Sequence, residues 1–458
     1  MNSKKRLKQY FTSEGLSNIL VKSIDDTIHP QNIIDLSVGE GNLLKSAKSR
    51  WGVANLYGID IDGNIIDQLR GDMGEEVELI NEDALDIPFK KEYLRYFNTI
   101  AEGGFDLCLA NPPYGKVKKT DLFNKDKMFP LELLFLAKYI EICRDGGVIA
   151  IILPNGVLTN SKYSHFREYL IQNVQVEKVI SLPVNAFPEV SIKTEILILR
   201  KNIECSKKHF NIKFEKYNSK LNVEKVFEKK LTEKQLIERL DFDYHYPGYG
   251  SKVNDIAPRI KCLRLSDLLL SQSRGATEYG DKRKFEPVGI KYIHTTNLGD
   301  MVINFTKDEK FIDENSQMFK SRALLKVNDV IMVRVGKSVG KACVIHSAED
   351  VGVASDCLYI LRFNDADLAY YFTAIMQTEF LKSQINRMKY GSCSKLIRKT
   401  DVLNLMIPVV SSEKTKSIVE EVKELIDFYK GSMYDMEAFL ERKELFIQKL
   451  EGMIRGRF

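Results

Sequence analysis

The sequence predicts an α/β chain: a mostly parallel sheet covered by helices, then a smaller α+β zone and a C-terminal helical segment. Three observations predict it. Between about Asn32 and Arg200, short β-rich runs alternate with helical patterns, as in crossover-connected parallel strands. One run ends in a glycine-bearing turn that opens directly into a helix, Asp35-Leu36-Ser37-Val38-Gly39-Glu40-Gly41-Asn42-Leu43-Leu44. Past Asp241 the pattern changes to short β-like segments with turns, and past Val410 to helical spacing. These shifts divide the chain into zones 1–240, 241–410 and 411–458.

Each element follows from its residues. Strands are expected at 33–36, 56–61, 77–80, 105–110, 148–153, 178–182 and 195–199. Leu131, Leu134, Phe135, Lys138, Tyr139 and Ile142 have helical spacing, and Gly146-Gly147 is the expected stop. The Lys/Glu-rich stretch 202–241 reads as a peripheral extension or connector. The zone 244–410 carries most of the interleaved aromatic and basic residues. Ile418, Val419, Val422, Leu425, Ile426 and Tyr429, then Met436, Phe439, Leu440, Phe446 and Leu450, predict one long helix or a helical hairpin.

Composition bounds the function. A 458-residue chain with 44% hydrophobic residues can bury a large core in two or three domains. With 68 basic against 63 acidic side chains its net charge is +5, which permits a nucleic-acid partner without demonstrating one. Seven cysteines without a CxxC pair argue against a zinc site or a disulfide framework, so no metal and a reduced, cytoplasmic setting are expected. The longest apolar stretch, Val148 to Leu153, is far too short to span a membrane, so no membrane partner is expected.

The most informative motif is Asn111-Pro112-Pro113-Tyr114, at the end of the apolar run Phe105 to Ala110. It presents amide and carbonyl oxygens beside an aromatic face, the groups needed to hold a flat amino-bearing substrate and make its nitrogen nucleophilic. Upstream, the Gly39 and Gly41 turn lies where α/β sheets bind nucleosides, because glycine lets the backbone approach a ligand closely. The next strand ends in Asp60-Ile61-Asp62, where an acid can accept both ribose hydroxyls. A third ends in Asn81-Glu82-Asp83-Ala84, where a carboxylate can take the exocyclic amine of adenine. A single such acid is an ordinary strand end or helix cap. Three in succession before Asn111 are not.

Taken together, these motifs resemble the DNA adenine-N6 methyltransferases of the gamma arrangement, with cofactor motifs first and target recognition downstream. The resemblance covers Lys8 to about Arg200. It implies a Rossmann-like fold and S-adenosylmethionine as cofactor. Tyr10, Phe11 and Thr12 match the segment that contacts the methionine part of the cofactor. Asp35, Gly39 and Gly41 match the glycine motif, Asp60 the ribose ligand, Ile61 the adenine-packing position, and Asp83 with Ala84 the adenine-amine site. Asn111 and the Pro112 carbonyl would each accept one N6 hydrogen, with Pro113 shaping the loop and Tyr114 stacking on the base. The base must leave the duplex to reach them. Phe187, in Pro183-Val184-Asn185-Ala186-Phe187-Pro188, matches an aromatic wall for the flipped base; its other reading is a core residue.

From about Lys261 onward the chain looks like a target-recognition domain of type I restriction specificity subunits, on Leu263 to Leu268, Ile290 to His294, Leu324 to Ile331, Arg334 to Lys341 and Ile407-Pro408. That implies double-stranded DNA as partner. Expected phosphate contacts are Lys116, Lys118 and Lys119 beside the catalytic loop, then Lys337, Lys389, Lys395 and Arg398. The last three belong to the acid-free run Lys382 to Thr400. By analogy with half-specificity subunits, the C-terminal helix would pair with a second copy or a partner subunit; the other reading is intramolecular packing on the catalytic domain. No nuclease signature is read in the chain, so a restriction endonuclease would be separate. The function expected is site-specific N6-adenine methylation in a restriction-modification, defence or epigenetic system. Methylation of RNA bases or protein glutamine, or a non-catalytic DNA-binding subunit, are the alternatives.

Overall fold

A computed structural model describes residues 11–86, 104–118, 128–188, 192–201, 209–247, 261–391, 394–432 and 435–454. The chain forms two compact units, Met1–His245 with Gly391–Cys393, and Tyr246–Tyr390 with Ser394–Phe458.

The first unit is built on a sheet of nine strands: β1 (Asn32–Asp35), β2 (Asn55–Asp60), β3 (Val77–Asn81), β4 (Phe105–Ala110), β7 (Cys143–Pro154), β8 (Val174–Ser181), β9 (Thr194–Lys201), β10 (His209–Tyr217) and β11 (Val223–Thr232). A two-stranded ribbon, β5 (Lys116–Lys118) with β6 (Met128–Pro130), lies beside it in sequence. Across the sheet the order is β3-β2-β1-β4-β7-β9-β8-β10-β11. Strands β1 to β4 and β7 are parallel, while β9 is antiparallel to both β7 and β8. Doubly wound dinucleotide-binding sheets run 3-2-1-4-5-6. Here one antiparallel strand is wedged between the fifth and sixth positions, so the unit is α/β and Rossmann-like, as expected.

Burial explains why these strands form. One face contributes Ile33, Leu107, Leu109, Val148, Ala150 and Ile152 to a core shared with α1 (Glu14–Lys22), α2 (Asn42–Arg50) and α3 (Gly63–Met73). The alternate residues Ile34, Cys108, Ile149 and Ile151 are equally buried, so the central strands are covered on both sides. Helix α4 (Leu131–Ile142) ends before Gly146-Gly147, because β7 already begins at Cys143, paired with Phe105. Helix α5 (Ser164–Asn173) precedes β8.

The stretch read as a connector is largely sheet. Phe210, Ile212 and Phe214 of β10 are buried, while β11 is an edge strand with a mostly exposed, charge-rich surface. Its Lys and Glu residues concealed the β period.

The second unit holds a four-stranded sheet of β13 (Leu269–Arg274), β19 (Leu358–Phe363), β16 (Val330–Val333) and β17 (Ala342–Val344). A three-stranded sheet joins β15 (Phe311–Ile312), β14 (Ile290–Ile293) and β18 (Val353–Ala354), and β12 (Cys262–Arg264) pairs with β20 (Met406–Pro408). Two helices were not expected, α6 (Ala366–Ile375) and α7 (Glu379–Met388). Asp365 and Thr378 cap them by accepting the N–H groups of Asp367 and Leu381.

The C-terminal segment is a pair of helices, α8 (Ser412–Gly431) and α9 (Met436–Ile454). Ile418, Val422, Ile426, Phe439, Phe446 and Leu450 share one apolar cluster with β16, β17, α6 and α7. Ion pairs of Lys430 with Asp350 (2.7 Å) and Lys443 with Asp300 (2.9 Å) fasten both helices to the same unit. The apolar stripe of both helices is thus packed inside this unit. Among the described residues, no helix is long and apolar enough to cross a membrane.

Candidate functional site

The strand order reverses between β1 and β4, and ligands of open α/β sheets bind outside the carboxyl ends of strands at such a switch point. Asn111 follows β4, Asp35 ends β1, Asp60 ends β2 and Asp83 follows β3. Parallel register brings these ends to one edge: Asp35 pairs with Gly58, Asp60 with Asn81, and Ile34 with Cys108. At a strand spacing of about 4.8 Å the four ends span about 14 Å.

The glycine loop is shaped by what surrounds it. Gly39 and Gly41 have left-handed φ of +52° and +77°. A Cβ on Gly41 would lie 2.6 Å from Leu69 Cδ2, and one on Gly39 3.0 Å from the Phe11 ring. The Phe11 ring thus lies over Gly39. The Gly39 N–H donates to Asp60 Oδ2 (3.0 Å) and the Asp62 N–H to Asp60 Oδ1 (3.0 Å). Burial pushes the Asp60 carboxyl upward, opposed by those two bonds. Beside it Ile61 is 53% exposed, an apolar platform unlike the buried strand residues before it. Asp83 is half-buried and accepts the Leu85 N–H (2.9 Å), and Ala84 is buried.

A buried tyrosine crosses the switch point. Tyr139 of α4 accepts the Leu36 N–H (2.7 Å), and its hydroxyl lies 3.2 Å from both Asp35 Oδ1 and Leu109 O as donor. It joins the end of β1 to the end of β4. Burial pushes the Asp35 carboxyl up to about 7, against the bonds from the Ser37 N–H and Tyr139. Burial likewise holds the Tyr139 phenol well above its ordinary value. The helical spacing was visible in the sequence; a tyrosine on the apolar face of that helix was the one signal of this role.

The Asn111 loop is held from several sides. The Asn111 Nδ2 donates to Thr12 Oγ1 (2.9 Å), and the Tyr114 hydroxyl donates to Asn111 Oδ1 (3.1 Å). The Thr12 carbonyl accepts Asn42 Nδ2 (2.8 Å) at the start of α2. At the loop's exit the Gly115 N–H donates to Glu132 Oε2 (3.3 Å), and the Leu131 N–H donates to Gly115 O (3.0 Å). Pro112 is buried and Pro113 half-buried. Asn42 and Glu132 were missed by sequence reasoning, which had no signal for contacts at this chain separation.

The model of the N-6 DNA Methylase family matches residues 1–246, more than half of the chain. The chain belongs to this family. Among relatives, this N-6 DNA methylase is 28% identical over 229 residues to the Type I restriction enzyme MpnII methylase subunit of Mycoplasma pneumoniae, over 44% of this chain and 41% of that one. It is 23% identical over 177 residues to the rRNA N(6)-adenosine-methyltransferase metl-5 of Caenorhabditis elegans, over 37% of this chain and 70% of the relative. The chain spans less than half the length of the first restriction-modification relatives it matches. A solved structure, the type IIG restriction endonuclease BpuSI, is similar over 99% of this chain and 67% of its own, with a TM-score of 0.48 at 13% identity.

In this N-6 DNA methylase the remaining expected residues fare unequally. Tyr10 and Lys119 lie outside the described residues, and Lys116 and Lys118 sit in β5. Phe187 is buried and belongs to the core cluster with Leu182, Ala186 and Ile196. In the second unit the Gly336 N–H donates to Lys395 O (2.9 Å), and Leu396 bridges to both Val335 and Tyr390. This gathers the loop of Lys337 with the segment carrying Lys389, Lys395 and Arg398. Lys337 is exposed. Lys389 donates to Asn386 Oδ1 (3.0 Å), and burial lowers its pKa. Arg398 is not a spare cation: it makes a two-pronged pair with Asp401 (2.8 and 2.9 Å) and lies over the Tyr390 ring. The acid-free run stopped one residue short of its partner.

Proposed function

We propose that the chain is a site-specific DNA methyltransferase that moves a methyl group from S-adenosylmethionine to N6 of an adenine extruded from duplex DNA. The observation that carries this reading is the placement of the Asn111 amide across the switch point from the Gly39–Gly41 loop and the Asp60 carboxylate.

The residues suit the cofactor. Asp60 would accept the ribose hydroxyls, Ile61 would cover one face of the adenine, and Asp83 would accept its amine. Phe11 and Thr12 border the loop on the methionine side. The bound cofactor supplies the methyl group and a sulfonium leaving group. The chain's own task is positioning. An adenine amine is a weak nucleophile because its lone pair is conjugated into the ring. Asn111 Oδ1 and the Pro112 carbonyl would each accept one N6 hydrogen, drawing the nitrogen toward sp³ geometry and freeing that lone pair. Tyr114 would stack on the extruded base. The second unit would read sequence through base edges and hold phosphates with the cations around Lys337 and Lys395.

The rRNA methyltransferase similarity favours a second reading, an adenine in RNA as acceptor. The experiment is transfer of labelled methyl from S-adenosylmethionine to duplex DNA and to structured RNA, with Asn111→Ala as control, together with single-molecule sequencing of DNA from expressing cells. N6-methyladenine at one recurring DNA motif, lost in Asn111→Ala, is the expected result. Label in RNA alone would replace DNA as substrate, and label in neither would end the proposal.

A further inference from the structure

We infer that Thr12 is a positioning residue: with Tyr114 it forms a pair of unlike hydroxyls that turns the Asn111 amide so that its oxygen, and not its NH2, faces the adenine amine. This rests on the reading of Asn111 as an acceptor for N6. A carboxamide is nearly symmetric in shape, so packing alone scarcely selects between its two orientations. Inverted, Asn111 would set a donor against a donor.

Hydroxyls can donate or accept, so one of them alone would not choose either. The two here differ. A phenol, with a pKa near 10, is the better donor, and conjugation of its oxygen lone pair with the ring makes it the poorer acceptor. The aliphatic hydroxyl of threonine keeps its lone pairs available. The favoured arrangement therefore puts the amide hydrogen on Thr12 Oγ1 and the phenol hydrogen on Asn111 Oδ1, which is the arrangement observed at 2.9 and 3.1 Å. Thr12 is itself fixed, 8% exposed with its carbonyl bonded to Asn42.

Thr12→Val keeps the shape and removes the acceptor, whereas Thr12→Ser keeps the acceptor. In single-turnover methyl transfer at saturating cofactor and DNA, Thr12→Val should be slower by about 10- to 100-fold, the scale of one buried polar group left unmatched. Because Thr12 also borders the methionine side of the cofactor, the rate is read at saturating cofactor, and Thr12→Ser should recover most of the rate that Thr12→Val loses. A second readout does not depend on activity. With asparagine side chains labelled by ¹⁵N, the Asn111 NH2 signal, assigned by its loss in Asn111→Ala, should lose its hydrogen-bonded shift in Thr12→Val and keep it in Thr12→Ser. Equal rate losses in Thr12→Val and Thr12→Ser, or an unmoved Asn111 signal, would overturn the inference. Absence of adenine transfer by wild type would instead overturn the proposed function, and the amide signal would still decide the role of Thr12.

Discussion

Replacing Tyr139 with phenylalanine removes one oxygen from the centre of the first unit and leaves the ring's volume in place. The cost follows from three bonds. The Leu36 N–H, now donating to that oxygen at 2.7 Å, would be buried without its partner, at about 1–3 kcal/mol. The phenol hydrogen shared by Asp35 and Leu109 would also be lost, adding about 1 kcal/mol. The sum is about 2–4 kcal/mol. Because the hydroxyl helps the Asp35 carboxyl ionise, the loss should be larger at pH 8 than at pH 6. Trp51 is the chain's single tryptophan and is buried in the first unit, where its indole donates to Ile28 O (3.0 Å). Its fluorescence therefore reports the unfolding of that unit. With a urea m-value of about 3 kcal/mol/M, the midpoint should fall by about 1 M. A midpoint within about 0.2 M of wild type at both pH values would refute the idea that this bridge is energetically important.

Three further outcomes are expected. Asp60→Asn should weaken S-adenosylmethionine binding by about 1–3 kcal/mol in calorimetry, the scale of charge-assisted hydrogen bonds, and an unchanged Kd would remove the ribose assignment. Asp35 has a folded-state pKa of about 7 against an ordinary 3.8, so its contribution to stability is complete below about 3.8 and is lost as pH rises through about 7. Asp35→Asn should flatten the decline in Trp51-monitored stability between pH 5 and pH 8, by a few kcal/mol at most; an identical slope in the variant counts against that titration. Lys337→Ala should reduce the salt dependence of DNA binding by about one phosphate, and Arg398→Ala by much less because Asp401 already holds its guanidinium; equal effects would mean the ion pair opens on DNA.

The central strands were legible because buried parallel strands are continuous apolar runs that end abruptly in Asp, Asn or Gly, and those ends are where a ligand would sit. Strands β10 and β11 were not, since an edge strand needs apolar residues on one side only and Lys/Glu filled the other. Helix α6 was obscured by the aromatic and β-branched content of Tyr370-Tyr371-Phe372-Thr373, which reads as strand until the cap at Asp365 is weighed. Motif order identified which residues belong to the site but not how they touch. Thr12 and Asn111 are 99 positions apart, and Tyr139 and Asp35 are 104, so their hydrogen bonds depend on the switch point bringing distant strand ends together. Phe187 shows the converse: a loop aromatic at the expected place can still be core.

The C-terminal helices have a consequence for how such chains diversify. Since α8 and α9 complete the apolar interior of the second unit, a fragment ending at Val410 would strip α6 of the helix it packs against. The sheets of the unit are thus inheritable as a cassette only together with both helices. Recombination that exchanged the sheets while keeping the old helices would have to match two halves of one packed interior. Exchange of sheets and helices together would leave that interior intact, so a new version of the unit could be acquired in a single crossover without first passing through an unfolded intermediate generation.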